Sequence, residues 1–184
     1  MRSKQIAAGA ALAFLLIAGG ARGAVIEATD QGFAVEETAH IAATPDKVYA
    51  GLIHPESWWN PQHTFSGNAA NLSLDAKAGS CLCETMPNGG SVQHLVVVFA
   101  DPGSTLRLRG AMGPFQAQGV DGALTFTLKP ADGGTDLVLD NNVGGFVKGG
   151  FGKWPEAADG MLSDLAVRLK FYVETGRTLP PPAK

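Results

Sequence analysis

The stretch IAATPDKVYAGLIHPESWW, residues 41–59, leads from a strand into a short helix and then into an irregular segment with two adjacent tryptophans. Thr44 is a good N-cap residue and Pro45 is favoured at the first helical position, so the helix begins there. Pro55 ends the helix, because proline cannot continue one. The stretch therefore predicts a strand end, a short helix and a loop that carries Trp58 and Trp59.

Strand-like runs flank this stretch on both sides. Before it, every second residue from Phe33 to Ile41, including Glu37, faces one side, which is typical of a strand with one wetter face. After it come six further runs separated by turn residues such as Asn88-Gly89. Short strands joined by tight turns predict an antiparallel meander. The six runs are NLSLDAKAG, SCLCETM, SVQHLVVVFA, TLRLRGAM, GALTFTLKP and TDLVLDNNV.

A long amphipathic helix is predicted near the C-terminus. Apolar residues recur there at intervals of three and four, which places them in one buried stripe. Gly176 follows the stripe and is a typical residue just past the end of a helix. The stripe consists of Ala158, Met161, Leu162, Leu165, Leu169 and Tyr172.

In this order of elements the chain resembles the START-like, or SRPBCC, superfamily. This superfamily has the helix-grip fold shared by pollen-allergen-like carriers, polyketide cyclases and homologues of the chaperone-ATPase activator. The resemblance is carried by residues 41–59, by VDGALTFTLKPADGGTDLVL at 120–139 and by the C-terminal helix, and it covers residues 33–176. It implies an α+β fold in which a curved antiparallel sheet of about seven strands wraps around the long C-terminal helix. Two short helices follow the first strand, and an apolar cavity lies between sheet and helix.

The N-terminus has the pattern of a secretory signal peptide. Arg2 and Lys4 precede an apolar run at residues 6–20, and the small-residue pattern Ala21-Arg22-Gly23 follows. We therefore interpret residues 1–23 as a cleaved leader and expect a periplasmic protein. An uncleaved membrane anchor is the alternative, but the run is shorter than the about 20 apolar residues that a spanning helix needs.

The remaining domain boundaries follow from composition. Residues 24–32 are predicted to be an N-terminal lead-in, 33–176 the START-like domain and 177–184 a Pro-rich flexible tail. Loss of the leader changes the formal net charge from −3 to −6, because it removes three basic residues and no acidic one. An acidic globular protein of this kind lacks the basic face that nucleic-acid binding requires. We expect neither a nucleic-acid partner nor a stable membrane anchor after cleavage, and the sequence predicts no oligomeric state.

Aromatic and apolar residues are the candidates for ligand contacts in the implied cavity. Trp58 and Trp59 belong to the segment that closes one end of it, where indole rings bury a large area and their N–H groups reach a polar rim. The same rings also fit a purely structural role as core plugs. The candidate ligand-binding residues are Trp58, Trp59, His63, Phe65, His94, Phe115, Phe126, Phe146, Trp154 and Met161.

The hairpin CLCETMPNGGSVQH, residues 81–94, brings both cysteines of the chain near a histidine. A turn centred on Asn88-Gly89 places Cys83 opposite His94, with Cys81 two residues along on the same face. We predict that this face, continued by Val96 and Val98, points inward and that Glu84 points outward.

Three interpretations of this cluster stay open. The thiols are buried beside a hydrogen-bonded histidine, or Cys81, Cys83 and His94 form a zinc or copper site with His63 as a further ligand. The third is redox chemistry, in which the two cysteines form a disulfide in an oxidising compartment. No cofactor is predicted. His94 is the best single candidate for a general acid or base, and no complete catalytic set is evident.

The Gly-rich stretch GGFVKGGFGK, residues 144–153, does not have the spacing of a phosphate-binding loop, because Val147 stands where a glycine is required. It is either a flexible flap whose Phe146 and Phe151 gate the cavity or a plain loop that packs these rings down. The resulting hypothesis is an exported domain that binds a small hydrophobic or lipid-like molecule. The alternatives are a cyclase or dehydratase that uses His94 and a Cys/His metal-binding protein.

Overall fold

The computed structural model describes residues 22–181, which form one antiparallel sheet of eight strands and two α-helices. The strands lie in the order β1-β2-β8-β7-β6-β5-β4-β3. Neighbouring strands are therefore consecutive in sequence except for β2 and β8. The helix-grip prediction is confirmed. The strands are β1 (Arg22–Thr29), β2 (Gly32–Ile41), β3 (Leu72–Leu74), β4 (Cys81–Thr85), β5 (Ser91–Asp101), β6 (Thr105–Arg109), β7 (Gly119–Ala131) and β8 (Gly134–Phe146).

The predicted first helix, α1 (Pro45–Leu52), begins as expected at Thr44, whose side-chain oxygen accepts from the backbone N–H of Lys47. Residues 53–71, which we call the tryptophan segment, follow α1 and fold into short 3₁₀ helices, because the prolines interrupt any longer helix. These lie at Pro55–Ser57, Pro61–His63 and Ala69–Asn71, and a fourth at Gly113–Ala117 precedes β7.

The long helix α2 (Trp154–Thr175) packs against the inner face of the sheet, mainly against β2. It ends at Gly176, whose left-handed backbone, with φ of 69°, lets its N–H donate to the carbonyl of Tyr172. None of the helices within residues 22–181 has the length and apolar character needed to cross a bilayer. The residues of α2 buried against the sheet and α1 include Leu162, Leu165, Ala166, Leu169 and Val173.

The segment expected to be a lead-in is an eighth strand. Residues 22–29 pair with β2 from Thr38 back to Gly32, with a bulge between Val25 and Glu27. Residues 1–21, which hold nearly all of the predicted leader, lie outside the described residues.

The tail that is predicted to be flexible makes contacts over its first residues. The Thr178 hydroxyl donates to the Ser57 carbonyl at 2.6 Å. The guanidinium of Arg168 on α2 donates to the carbonyls of Leu179 at 2.8 Å and Pro180 at 3.2 Å. Residues 182–184 lie outside the described residues.

The predicted register of the β4–β5 hairpin is correct at one end and wrong at the other. Cys81 pairs with Val96 as expected, but a bulge between Leu82 and Cys83 shifts the pairing, so Cys83 faces Gln93 and not His94. A bulge adds one residue to one strand and turns the following side chains to the other face.

Independently of the register, the prediction of which side chains of this hairpin point inward is wrong for most of them. Glu84 is buried with Leu82 on the inner face, whereas both cysteines lie half-buried on the outer face. On β5, Val97 is buried while Val96 and Val98 face outward. His94 does point inward, because the bulge places it beside the buried Leu95.

Candidate functional site

A cavity of about 420 Å³ lies between the sheet and the N-terminal half of α2. This volume is within the range of small-molecule sites. Its wall is largely apolar and comes from the tryptophan segment, from β5 to β8 and from α2. The residues that line it include Trp59, Phe65, His94, Leu95, Met112, Phe115, Leu124, Asn141, Val143, Trp154, Ala158 and Met161.

Several of the residues that line the cavity are small. Gly110 and Gly122 on the sheet side and Ala157 and Ala158 on α2 all line it. Towards the other end of α2 the same interface is filled by fully buried leucines such as Leu165. One helix therefore closes the core at one end and leaves ligand-sized space at the other.

Two ionisable side chains, Glu84 and His94, meet at the wall of the cavity. Glu84 is 1% exposed and His94 is 5% exposed. His94 Nε2 donates to Glu84 Oε2 at 2.8 Å. The backbone N–H groups of Phe65 and Ser66 also donate to this carboxylate, at 3.0 and 2.5 Å. The tryptophan segment thus supplies two of the donors that hold Glu84 in place.

These hydrogen bonds determine the charge of Glu84. Burial acts to raise the pKa of this carboxyl, but the hydrogen bonds from Ser66, Phe65 and His94 outweigh it and lower the pKa below its ordinary 4.5. Glu84 is therefore ionised at neutral pH. A carboxylate only accepts hydrogen bonds, so Nε2 of His94 carries the proton, and in the neutral ring Nδ1 presents its lone pair. Among the described residues, Nδ1 has no hydrogen-bond partner.

Asn141 on β8 adds an uncharged polar group to the same wall. Its residue is 7% exposed and lines the cavity, yet its side-chain amide makes no hydrogen bond within residues 22–181. Neither amide atom is among the fully buried, unpartnered atoms of the described residues, so a molecule in the cavity can reach this group. Asn141 is therefore positioned to bind a polar group of a molecule in the cavity.

Aromatic rings form the rim and one side of the site. Phe65 is 51% exposed, and its ring centroid lies 5.7 Å from that of His94. The Trp59 indole N–H donates to the His63 carbonyl at 3.2 Å, which ties the tryptophan segment back on itself. Phe115 and Trp154 lie 4.8 Å apart at the other side. The rim is thus apolar with exposed ring surface at Phe65.

Hydrogen bonds between α2 and the tryptophan segment hold this rim in place. Asp164 accepts from the Asn60 side-chain amide at 2.7 Å and from Arg168 Nε at 2.9 Å. His63 Nδ1 lies 4.0 Å from Asp164. Burial lowers the pKa of His63 from 6.5. The negative charge of Asp164 acts to raise this pKa, and the positive charge of Arg168 acts to lower it. The imidazole is therefore mainly neutral at pH 7.

The structure brings seven of the ten predicted ligand-binding residues to the cavity. Three lie elsewhere. Trp58 is buried in the core, where its indole N–H donates to the Gly51 carbonyl at 3.0 Å. Phe126 is also buried in the core, and Phe146 is 71% exposed at the end of β8. The seven are Trp59, His63, Phe65, His94, Phe115, Trp154 and Met161.

The proposed metal site of Cys81, Cys83 and His94 is wrong. The two cysteines are joined in a disulfide on the outer face of β4, with their Cα atoms 5.4 Å apart, while His94 points into the cavity. Thiols in a disulfide do not ligate zinc or copper. Within residues 22–181, no group of three or more His, Cys, Asp or Glu side chains is placed to hold a metal ion.

The Gly-rich loop after β8 packs one of its two rings down. Phe151 is buried, with its centroid 5.7 Å from that of Phe33 and 6.2 Å from that of Phe115. Phe146 faces solvent instead. Of the two rings, only Phe151 therefore packs against a residue that lines the cavity, Phe115.

Sequence reasoning missed two residues of the site. Glu84 was expected to face outward, but it alternates with Leu82 along β4 and so shares the inner face with that buried leucine. Asn141 had a readable signal, because it alternates with the buried Leu137 and Leu139 along β8 and so belongs to their face.

Comparisons with known proteins agree with this architecture. The family model described as "Polyketide cyclase / dehydrase and lipid transport" matches residues 32–174. Among curated proteins, none is significantly similar to the chain.

Solved structures show the same fold at low sequence identity. A Mesorhizobium loti protein is 20% identical, with 74% of this chain and 93% of that chain covered and a TM-score of 0.54. The Aha1 dimer from Colwellia psychrerythraea is 18% identical, with coverage of 78% and 97% and a TM-score of 0.54.

A putative protein of the dynemicin biosynthetic locus is 19% identical, with a TM-score of 0.57. This match covers 78% of the present chain and 48% of that protein. The family match and the shared fold lead to one conclusion: the chain belongs to the polyketide cyclase/dehydrase and lipid transport family of the START-like (SRPBCC) superfamily.

Proposed function

We propose that the protein binds a small hydrophobic or lipid-like molecule that carries one hydrogen-bonding group, in the cavity between the sheet and α2. The observation that carries this proposal is the combination of a largely apolar wall around about 420 Å³ with two buried polar groups that line it. Family membership supports the proposal, since the family description includes lipid transport.

The two polar groups favour a ligand that is not a plain hydrocarbon. Nδ1 of His94 offers a lone pair, and the amide of Asn141 offers both donors and an acceptor. A ligand hydroxyl, carbonyl or carboxyl group that binds them offsets the cost of their burial. An alkane would leave both groups unpartnered. The ligand class is therefore an apolar body with a polar end or substituent.

Export to the periplasm is a second part of the proposal. It is supported by the basic, apolar and small-residue order of residues 1–23, and a disulfide between the only two cysteines is compatible with an oxidising compartment. A carrier or binding protein for a hydrophobic molecule outside the cytoplasm is the role that these features favour.

Native mass spectrometry of the protein purified from the compartment outside the inner membrane tests ligand binding. We expect an adduct of a few hundred daltons that is lost on denaturation. The adduct is then extracted, identified and titrated back by calorimetry.

A pair of tryptophan substitutions on α2 provides the control. Met161→Trp fills the cavity and is expected to abolish binding, whereas Val167→Trp, on the exposed face of the same helix, leaves binding unchanged. Unchanged affinity in Met161→Trp would place the ligand outside the cavity and overturn the proposal.

A second candidate function is acid–base catalysis of the cyclase or dehydratase kind. It is favoured by the Glu84–His94 pair, in which a carboxylate fixes the ring so that Nδ1 faces the cavity side as a base. In such a reaction Nδ1 removes a proton from a bound substrate, and Glu84 stabilises the imidazolium that forms.

His94→Gln separates the two functions. It retains a side chain that donates to Glu84 but has no titratable base. Loss of turnover on the identified ligand with binding preserved supports catalysis. If the wild-type protein leaves the ligand chemically unchanged after prolonged incubation, catalysis is excluded and ligand binding is the remaining function.

A further inference from the structure

Two acidic side chains that do not line the cavity meet under the first strand. Glu37 on β2 is 1% exposed, and Asp159 on α2 lies beside it. Oε2 of Glu37 and Oδ1 of Asp159 are both buried without a hydrogen-bond partner. Ser163, one turn further along α2, makes a hydrogen bond with Glu37. Within residues 22–181, neither carboxylate makes an ion pair with a Lys, Arg or His side chain.

The backbone of β1 lies directly against both carboxylates. Gly23 pairs with Glu37 in the sheet. A Cβ atom on Gly23 would overlap Glu37 Oε1 and would lie 2.8 Å from Asp159 Oδ1. A side chain at this position would displace the Glu37 carboxylate. The nitrogen of Ala24 is two bonds beyond the Cα of Gly23 and is therefore within about 6 Å of the Glu37 carboxylate.

This position coincides with the cleavage site that the sequence predicts, after Gly23. We propose that Glu37 and Asp159 form a binding site for a primary ammonium group, the α-ammonium of Ala24 that removal of the leader creates. The inference rests on the proposed export. In the uncleaved chain the nitrogen of Ala24 belongs to a neutral amide with a single N–H.

The chemistry of the two partners is complementary. An α-ammonium carries one positive charge and three N–H donors, and the acidic pair offers carboxyl groups with two unpartnered oxygens. Buried carboxylates without a cation are costly, and a hydrogen-bonded opposite charge offsets that cost. Cleavage also removes Gly23, and this frees the space next to Glu37 that its backbone occupies.

The electrostatics of the pair agree with this geometry. Burial, and next the negative charge of Asp159, raise the pKa of Glu37 to about 7, against a lowering by Ser163. The remaining neighbours of Glu37 across the sheet, Gly23 on β1 and Leu139 on β8, carry no charged side chain. The Glu37 carboxyl, which resists ionisation in the unprocessed chain, is therefore suited to accept the charge of a new N-terminus.

The experiment uses the processed protein purified from the export compartment. Mass spectrometry identifies its first residue, which we expect to be Ala24. The pKa of the α-amino group, ordinarily about 7.7–8.0, is then measured by NMR titration. We expect it to be raised by about one unit or more by the two carboxylates. Glu37→Gln and Asp159→Asn are each expected to bring it back towards the ordinary value.

Glu27→Gln is the matched control, since Glu27 is an exposed carboxylate on β1 itself and should leave the α-amino pKa unchanged. Asp159→Asn keeps the test valid if Glu37→Gln fails to fold. A processed chain whose α-amino group titrates alike in the wild type and both variants overturns this inference alone. A first residue other than Ala24 also overturns it. A chain recovered with its leader intact overturns the export proposal as well, while ligand binding in the cavity is tested separately.

Discussion

Glu84 and Glu37 are the same residue type, each is 1% exposed, and both point to the inner side of the same sheet. Their pKa values are nevertheless shifted from the ordinary value in opposite directions. The pKa of Glu84 is below its ordinary value, and that of Glu37 is raised to about 7. Burial raises the pKa in both cases. The comparison shows that the donors around a buried carboxyl, and not its depth, decide whether it is charged.

The source of the donors explains the difference. Glu84 receives two backbone N–H groups from the tryptophan segment, which is irregular and has N–H groups that no ladder uses. Glu37 lies between β1 and β8, where regular pairing already engages the backbone. An irregular segment next to a sheet therefore provides anion-binding capacity that the sheet itself lacks.

Removal of the better satisfied carboxylate should have the largest effect. Glu84→Ala leaves the N–H groups of Phe65 and Ser66 and the ring of His94 without their acceptor. Each buried donor left without an acceptor costs about 1–3 kcal/mol, so the loss from three donors is about 3 kcal/mol or more. We expect urea denaturation to show a loss of unfolding free energy of that order, together with loss of ligand binding.

Glu27→Ala on the exposed face of β1 is the control and should change stability by less than about 0.5 kcal/mol. If Glu84→Ala is no more destabilising than this control, the donors do not stabilise the site and the comparison fails.

The free energy of unfolding should depend on pH because of Glu37, the carboxyl with few hydrogen-bond donors. In a chain that continues through Gly23, the folded state holds the proton of Glu37 with a pKa of about 7, against 4.5 ordinarily. The stabilisation of the folded state by this proton is fully present below about pH 4.5 and is lost as pH rises through about 7. The total is of the order of 3 kcal/mol. Urea titrations from pH 4 to pH 8 measure it.

Glu37→Gln should flatten this part of the pH profile, because the amide does not titrate. Glu36→Gln, on the neighbouring residue that faces the opposite side of β2, should leave the profile unchanged. A profile that is equally steep in Glu37→Gln would assign the pH dependence to another group.

A smaller effect is expected at Asn141, an uncharged polar side chain that, like Glu37, has few hydrogen-bond partners within residues 22–181. Asn141→Leu removes an amide that makes no hydrogen bond within residues 22–181, so stability should change by less than about 1 kcal/mol. Affinity for the polar ligand should fall about tenfold, since one hydrogen bond is lost. Calorimetric titration checks this against Asn142→Leu, the exposed neighbour. Equal affinity in the two variants would show that Asn141 does not contact the ligand.

The smallest effect should come from the disulfide next to Glu84. The bond between Cys81 and Cys83 closes a loop with a sequence separation of 2, so it restricts the unfolded chain little. The double substitution to serine should cost about 1–2 kcal/mol and leave ligand affinity unchanged, because Glu84 is held by hydrogen bonds from the tryptophan segment. Ligand titrations are made under conditions in which the variant is folded. A large loss of affinity would show that the disulfide maintains the bulge.

The overall fold was readable from sequence because its signals are local and periodic. The capped helix α1, the alternation of β2 and the stripe of α2 each follow from spacing alone. The bulge after Leu82 left no such signal. Leu82, Leu95, Val97 and Phe99 make both faces of the hairpin apolar, so the inward face is decided by packing against α2 and the tryptophan segment.

The candidate site was readable only in part, for the same reason. Aromatic residues near the cavity could be predicted from the resemblance, but hydrogen-bond satisfaction is a property of three-dimensional neighbours. Nothing in the sequence distinguishes Glu84 from Glu37. The distinction depends on which backbone N–H groups are left over once the strands have paired.

The division of the three tryptophans between cavity and core has an optical consequence. Trp59 and Trp154 line the cavity, while Trp58 is buried beside Trp59 at a centroid distance of 5.4 Å. Indole emission shifts to shorter wavelength when its surroundings become less polar. An arriving apolar molecule should therefore change the emission of two indoles over a constant contribution from the third. The protein contains its own fluorescent reporter of occupancy, and Trp58→Phe would remove most of the background.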